Sequence, residues 1–384
     1  MTESPRRRAV DVLLPQVGGL GGIPQYNRQL LKALGLACDE LDLEPRVFSL
    51  NDANVTGGRG FGRDKGRFVS AVVGGAVARR PHSVIIGHVN LAPLALVYRL
   101  LGVRRVYLLA HLIEIERKLG VVSRLAIRLC SSVLCISDAT RLAVVTHQGV
   151  RPERTRLLQY AFEPSAPRTA SEFGDLVDRP LRLLSVARME SSEGYKGIDT
   201  TLEAVALLKA SGVDLEYTVV GDGDDRRRLG RLCVNLGLQD SVRFLGAVSY
   251  EVLGREYGSC DVFVLPSSRE GLGIVYLEAM SYGKPVVALH AGGVADVVVH
   301  ETNGLLVSEQ TAEAVGAAIG RLAKDASLRA RLGERATAGL ARFSLAASTV
   351  SLRDALGGCA VRRGRWRASN VPPEHGCPIP EVAG

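Results

Sequence analysis

No apolar run in the 384-residue chain reaches the ~18 residues needed to span a bilayer, which excludes a transmembrane helix. Arg6, Arg7 and Arg8 imitate the basic start of a secretory signal, but the apolar run at 9–14 is interrupted by Asp11 and too short to serve as one. Cysteine is sparse and unpatterned. The seven thiols, at positions 38, 130, 135, 233, 260, 359 and 377, include no C-x-x-C pair and no nearby histidine set with zinc spacing. That excludes standard zinc spacing and points to a reducing, cytosolic compartment. Cys135 and Cys260 lie in apolar runs and read as small buried hydrophobes. No aromatic-interleaved basic motif is recognised, so no nucleic-acid partner is expected. The 42 glycines follow no period, which excludes collagen-like and low-complexity chains.

Hydrophobic residues make up 46% of the chain, ordinary for a globular protein and far too many for a disordered one. At roughly 100–200 residues per domain, the length favours two domains. The net charge of +8 is unevenly placed. Residues 1–170 hold 24 basic and 13 acidic side chains, a surplus of +11, which leaves 24 basic and 27 acidic, or −3, for residues 171–384. A positive N-terminal half suits a polyanion, a phosphorylated substrate or an anionic membrane surface.

Short Val/Ile/Leu runs bounded by Gly or Pro recur at 9–14, 83–87, 105–110, 132–137 and 155–159, then at 181–187, 216–221, 242–245, 262–266 and 285–289. They read as parallel strands buried on both faces. Helical patterns lie between them, as at 23–34, 198–210 and 276–282. The alternation predicts an α/β protein of two doubly wound, Rossmann-like domains. These are expected at 1–168 and 176–340, with a polar, proline-containing linker at 163–180. A last helix, 341–358, is expected to cross back to the first domain, and the Arg- and Pro-rich residues 359–384 to be disordered. Paired sheets of this kind bind ligands in a cleft at the C-terminal ends of their strands.

Three loops at those ends carry chemistry. Gly18, Gly19, Leu20, Gly21 and Gly22 follow the first strand and precede a helix, where backbone can approach a phosphate closely. Gly19 and Gly21 begin a dinucleotide fingerprint, but Pro24 stands where its third glycine belongs, so that fingerprint fails. A phosphate- or sugar-facing turn and a purely structural turn both remain. Arg188 and Lys196, after the first strand of the second half, can neutralise a diphosphate, one as a fork and one as a point charge. Glu270, Gly271, Leu272, Gly273 and Ile274 lead from a strand into a helix and form an anion nest, with Glu278 inside the helix able to accept from a vicinal diol. A glycosidase pair is disfavoured: on one helix eight residues would separate the two glutamates by about 12 Å. Such carboxylates need roughly 5–5.5 Å for retention or 6.5–9.5 Å for inversion.

Glu270 and Glu278, in the segment EGLGIVYLE, resemble the two-glutamate motif of retaining GT-B glycosyltransferases. Val219-Val220-Gly221-Asp222-Gly223, Arg243-Phe244-Leu245-Gly246, the segment from Cys260 to Ser267, and Gly283-Lys284-Pro285 fit the same pattern in order. Together they resemble glycosyltransferase family 4, strongly over residues 181–307. The match in the first half is looser, through the glycine loop, Gly87-His88-Val89-Asn90 and Cys135-Ile136-Ser137. The resemblance implies a GT-B fold with an acceptor-side first domain and a donor-binding second domain. It implies transfer of a sugar, with retained configuration, from a UDP- or GDP-sugar to a glycan, glycolipid or lipid-linked acceptor.

By the same resemblance, Arg188 and Lys196 would bind the departing diphosphate, Glu278 the ribose and Glu270 the transferred sugar. The backbone of Gly271, Leu272, Gly273, Ile274 and Val275 would meet phosphate and sugar. Gly19, Gly21, Gly22, Gly221 and Val248, the last near the base, complete the donor set. His111, Glu114 and Ser137 would line the acceptor side, with His111 also catalytic. Neither a metal nor another cofactor is implied, and the leaving phosphate would itself take the acceptor's proton. Two positions depart from the family: Leu112 replaces a glycine, and Asp296 replaces a glutamate and is left out of the expected site. A nucleotide-sugar epimerase of the same architecture and a transferase for small-molecule acceptors are the alternatives.

Two further segments have mainly structural readings. The acids Asp222, Asp224 and Asp225 precede Arg226, Arg227 and Arg228, and are expected to cap a helix rather than bind metal. Residues 115–130 form a basic amphipathic stretch with Arg117, Lys118, Arg124 and Arg128, either a solvated helix or a peripheral contact with an anionic inner membrane face.

Overall fold

The computed structural model describes residues 7–19, 21–163 and 179–357. Leu20, most of the expected linker and the expected tail at 359–384 lie outside the described residues.

The first sheet contains β1 (Arg8–Leu14), β2 (Leu43–Ser49), β3 (Gly58–Gly60), β4 (Ser83–Ile86), β5 (Arg105–Ala110), β6 (Ser132–Cys135) and β7 (Thr155–Leu157). Its order is β3-β2-β1-β4-β5-β6-β7, and every pairing is parallel. Helices α1 (Gly22–Glu40), α2 (Lys65–Ala78), α3 (Leu94–Leu100), α4 (Val121–Leu129) and α5 (Asp138–Gln148) connect the strands. The second sheet contains β8 (Leu181–Val186), β9 (Leu215–Val220), β10 (Val242–Gly246), β11 (Val262–Leu265), β12 (Val286–Leu289) and β13 (Gly304–Val307). Its order is β10-β9-β8-β11-β12-β13, again all parallel. Around it lie α6 (Ile198–Ala210), α7 (Arg226–Asn235), α8 (Tyr250–Ser259), α9 (Ile274–Ser281), α10 (Ala312–Lys324) and α11 (Ala326–Gly339). The chain therefore folds as two doubly wound α/β units, as its alternating pattern predicts.

Every residue of β4, β6, β11 and β12 is buried, because helices cover both faces; hence their unbroken apolar runs. Strand β2 escapes that pattern, since Glu44, Pro45 and Arg46 interrupt it. Arg46 is there for a reason. Asp11, the acid that breaks the first apolar run, is fully buried in β1 and accepts hydrogen bonds from Arg46 Nε at 2.6 Å and Tyr98 Oη at 2.7 Å. Burial raises the Asp11 carboxyl above the usual carboxylate range, and these two donors oppose the shift.

Helix α12 (Leu345–Gly357) packs against α1. Tyr107 Oη and Arg105 of β5 donate to the carbonyls of Ala355 and Leu356, each at 2.8 Å, and so satisfy the last turn of α12. Cys135 and Cys260 are buried, and burial pushes both thiols up to about 12. The expected cap of α7 needs correction. Asp225 stands at the N-cap, but its carboxylate grips Arg228 at 2.7 Å and makes no cap hydrogen bond, while Asp224 accepts from Ser191. Neighbouring donors outcompete the helix amides. Among the described residues, no helix is long and apolar enough to cross a membrane.

Candidate functional site

In each sheet the chain leaves the central pair of strands in opposite directions, between β1 and β4 in the first and β8 and β11 in the second. Such switch points open a crevice at the strands' carboxyl ends. The glycine loop follows β1 and His88 follows β4. Arg188 and Lys196 follow β8, and the segment with Glu270 follows β11. The topology thus brings together around one cleft residues such as Gln25 and Glu278, 253 positions apart, where Gln25 Nε2 of α1 donates to Glu278 Oε1 of α9 at 2.9 Å.

On the second-domain side, Lys196 Nζ donates to Glu270 Oε2 at 2.7 Å, with side chains 16% and 15% exposed. Glu278 is committed twice, to Gln25 and to Tyr257 Oη at 2.8 Å. Burial raises the Glu278 carboxyl, and these two donors hold it down in part. Gly273, at φ 83°, is the N-cap of α9, so the first amides of that helix point out beside Glu270. Leu272 is buried, Ile274 and Val275 half-buried. Arg188 is not gathered with Lys196: its guanidinium is 69% exposed and pairs with Glu193. Gly221 follows β9, its N–H on Gly246 O at 2.9 Å, and Val248 lies half-buried in the loop after β10. Among the described residues, no three His, Cys, Asp or Glu side chains cluster to hold a metal.

On the first-domain side, Gly21 has φ 116° and is the N-cap of α1, a conformation that side chains rarely adopt. A Cβ on Gly22 would meet nothing within 4 Å, and both Gly21 and Gly22 are exposed. Asp52 holds its start, accepting from the amides of Val17 and Gly18 at 2.6 and 3.0 Å, while Arg28 binds the carbonyls of Val17 and Gly19. His111 directly follows β5 and is 8% exposed; its backbone N–H donates to Glu114 Oε1 at 2.9 Å, and its Nε2 is buried without a partner. Leu112 packs toward Gly271 and Gly292. Ser137 caps α5, its hydroxyl accepting from Thr140 N at 3.1 Å.

The domains touch around this cleft. A Cβ on Gly293 would lie 2.0 Å from Gly271 O and 2.9 Å from Ser137 Cβ, so only glycine allows that approach. Arg269 pairs with Glu116 across the cleft. Asp296, set aside on sequence grounds, accepts the backbone N–H of Asp138 at 2.7 Å. Gln25, Tyr257 and Asp52 are residues that sequence reasoning missed, and His88 entered it only as a member of the motif at 87–90. Gln25 lies three residues beyond the glycine loop, a signal that was available; Tyr257 sits on a different helix from Glu278 and carried none.

The family described as glycosyl transferases group 1 matches residues 169–339. The chain is 32% identical over 186 residues to the amylovoran biosynthesis glycosyltransferase AmsK of Erwinia amylovora, covering 47% of this chain and 42% of that protein. It is 30% identical over 262 residues to the GDP-mannose-dependent alpha-(1-6)-phosphatidylinositol monomannoside mannosyltransferase of Mycolicibacterium smegmatis, covering 63% of this chain and 68% of that one. The first of these matches thus spans less than half of the relative's length. Among solved structures, HepE of Anabaena in complex with UDP superposes with a TM-score of 0.72 at 21% identity, over 91% of this chain and 100% of HepE. The fold is GT-B: two Rossmann-like domains facing each other across a cleft.

Proposed function

Since the chain belongs to the glycosyl transferases group 1 family, we propose that it moves a sugar from a UDP- or GDP-sugar donor to a glycan, glycolipid or lipid-linked acceptor, with retained configuration, in polysaccharide or glycoconjugate biosynthesis. The observation that carries this reading is the Lys196–Glu270 pair at the N-terminus of α9. Lys196 keeps further N–H donors for a diphosphate while it holds Glu270. The α9 amides add positive potential at the same point. Arg188 swings from Glu193 to the phosphates when the donor binds. The acceptor hydroxyl attacks the anomeric carbon on the face that the diphosphate leaves; its proton passes to the departing phosphate, and Lys196 stabilises the new negative charge. No metal or other cofactor takes part in this scheme. The donor sits against the second domain and the acceptor against the first.

The membrane is the proposed partner of the first domain, with the protein peripheral at the cytoplasmic face. Helix α4 leaves Val121, Val122 and Leu125 exposed at 74%, 56% and 51%, with Arg117 and Lys118 exposed just before it. Apolar side chains flanked by cations suit an anionic lipid surface. The names of the two relatives, one in amylovoran biosynthesis and one a phosphatidylinositol monomannoside mannosyltransferase, agree with a polymeric or lipid acceptor. A panel of UDP-, GDP- and dTDP-sugars tested for thermal stabilisation checks the donor: at a hundredfold excess over Kd, a true donor adds about 2.7 kcal/mol. If no nucleotide-sugar raises the melting temperature, the reading fails. Formation of an isomeric nucleotide-sugar from donor alone would favour the epimerase.

A further inference from the structure

His88 lies at the carboxyl end of β4, one strand from His111 at the end of β5. Its Nδ1 accepts the backbone N–H of Asn90 at 3.1 Å, which leaves the proton on Nε2. That Nε2 is 3.8 Å from Glu114 Oε1, the same oxygen that accepts the His111 N–H at 2.9 Å. The two imidazoles stack with centroids 5.9 Å apart at 29°, and Tyr26 of α1 closes the other side, edge-on to His111 at 5.3 Å. The Gly87 backbone neighbours the His111 ring and favours a proton on it. With Nε2 buried and unpartnered, the proton is assigned to Nδ1, which leaves Nε2 a buried lone pair. A buried acceptor left unpaired at a cleft wants a hydroxyl.

We propose that His88 is a positioning residue of the transferase site: through Glu114 it fixes the His111 loop so that the Nε2 lone pair of His111 accepts a hydroxyl of the carbohydrate that docks in the cleft. The proposal rests on the glycosyltransferase reading above. The groups facing His111 are Glu114 on its own loop, His88 from the end of β4 and Tyr26 from α1. Burial, aided by His88, lowers the His111 pKa, against Glu114 and the Gly87 contact. Burial also lowers that of His88. Both rings are therefore neutral near neutral pH and can hold the fixed tautomers that the hydrogen bonds select. The His88–Glu114 approach is longer than a hydrogen bond and shortens when the sugar seats, as contacts in empty sites commonly do.

Two substitutions separate positioning from packing. His88→Asn keeps an acceptor for the Asn90 amide but removes the donor facing Glu114. His88→Gln restores an N–H near the Nε2 position. The Asn variant is expected to lose about tenfold or more in kcat with donor KM within about threefold, and the Gln variant to recover most of the loss. Equal kcat for the two variants would overturn the proposal. Nitrogen NMR of the histidine side chains in the full chain without substrate gives a readout independent of turnover. Neutral Nδ1–H for His111 with Nε2–H for His88 supports it; the opposite tautomer at either ring overturns it. If wild type shows these tautomers but transfers no sugar from any donor, the function fails and the His88–Glu114–His111 arrangement stands.

Discussion

Asp296→Asn tests how the domain interface is charged. Asp296 ends the short helical turn Gly292–Asp296 and accepts the Asp138 amide of α5 at 2.7 Å. Burial pushes its carboxyl up to about 6 from 3.8; the Asp138 charge pushes the same way, and the Asp138 amide and Arg342 oppose it. A rise of about 2 units is worth about 3 kcal/mol at 1.36 kcal/mol per unit. The folded value is the higher one, so the native chain keeps this proton between about pH 4 and 6 while the unfolded chain releases it. The stability so gained is complete below about pH 4 and lost as pH rises through about 6. Asparagine cannot ionise, its carbonyl still accepts the Asp138 N–H, and its amide can serve the buried, unpartnered Asp138 Oδ1. Urea unfolding of both proteins from about pH 4 to 8 should show the variant gaining about 3 kcal/mol on wild type, mostly below about pH 7. A difference independent of pH would refute the reasoning, because Asp296 would then ionise alike in both states.

Lys196→Ala strips Glu270 of its cation and the diphosphate of a donor; steady-state kinetics should show kcat/KM down about 10²–10³-fold, and unchanged constants would remove Lys196 from the site. Tyr257→Phe removes a hydrogen bond that holds the Glu278 carboxyl down, at a cost of about 1.5–3 kcal/mol in stability. The same loss raises Glu278 further, so calorimetric titration with donor should find binding weakening at a higher pH than in wild type. Asp11→Ala leaves Arg46 and Tyr98 facing an empty buried site and should cost about 3–5 kcal/mol in denaturant unfolding, with donor affinity unchanged because Asp11 lies within the strand, away from its carboxyl end.

The two sheets were legible because parallel strands covered on both faces must be apolar throughout, and only such strands stand out by composition. Strand β2 was hidden by Arg46, whose place depends on Asp11, a partner 35 residues away. Within the cleft, the glycine loop, Lys196, Glu270 and Glu278 were readable from local motifs at strand ends. What closes the site was not. The Gln25–Glu278 bond, the Arg269–Glu116 pair and the Asp138–Asp296 contact join opposite domains, and no periodicity in one segment encodes its complement in another. The hydroxyl of Ser137, at a strand end, also caps the helix that follows, a role its place in the loop did not reveal. Of the first half's cations, Arg117 and Lys118 lie exposed just before α4, next to its exposed Val121 and Val122.

The most direct test follows the sugar itself. Proton NMR of a nucleotide-sugar incubated with the protein and candidate lipid or glycan acceptors reports the anomeric configuration of each product as it forms. Release of nucleoside diphosphate with the sugar in the donor's configuration, abolished in Lys196→Ala, is the predicted result. An inverted anomer, or an epimerised sugar still attached to its nucleotide, would contradict it.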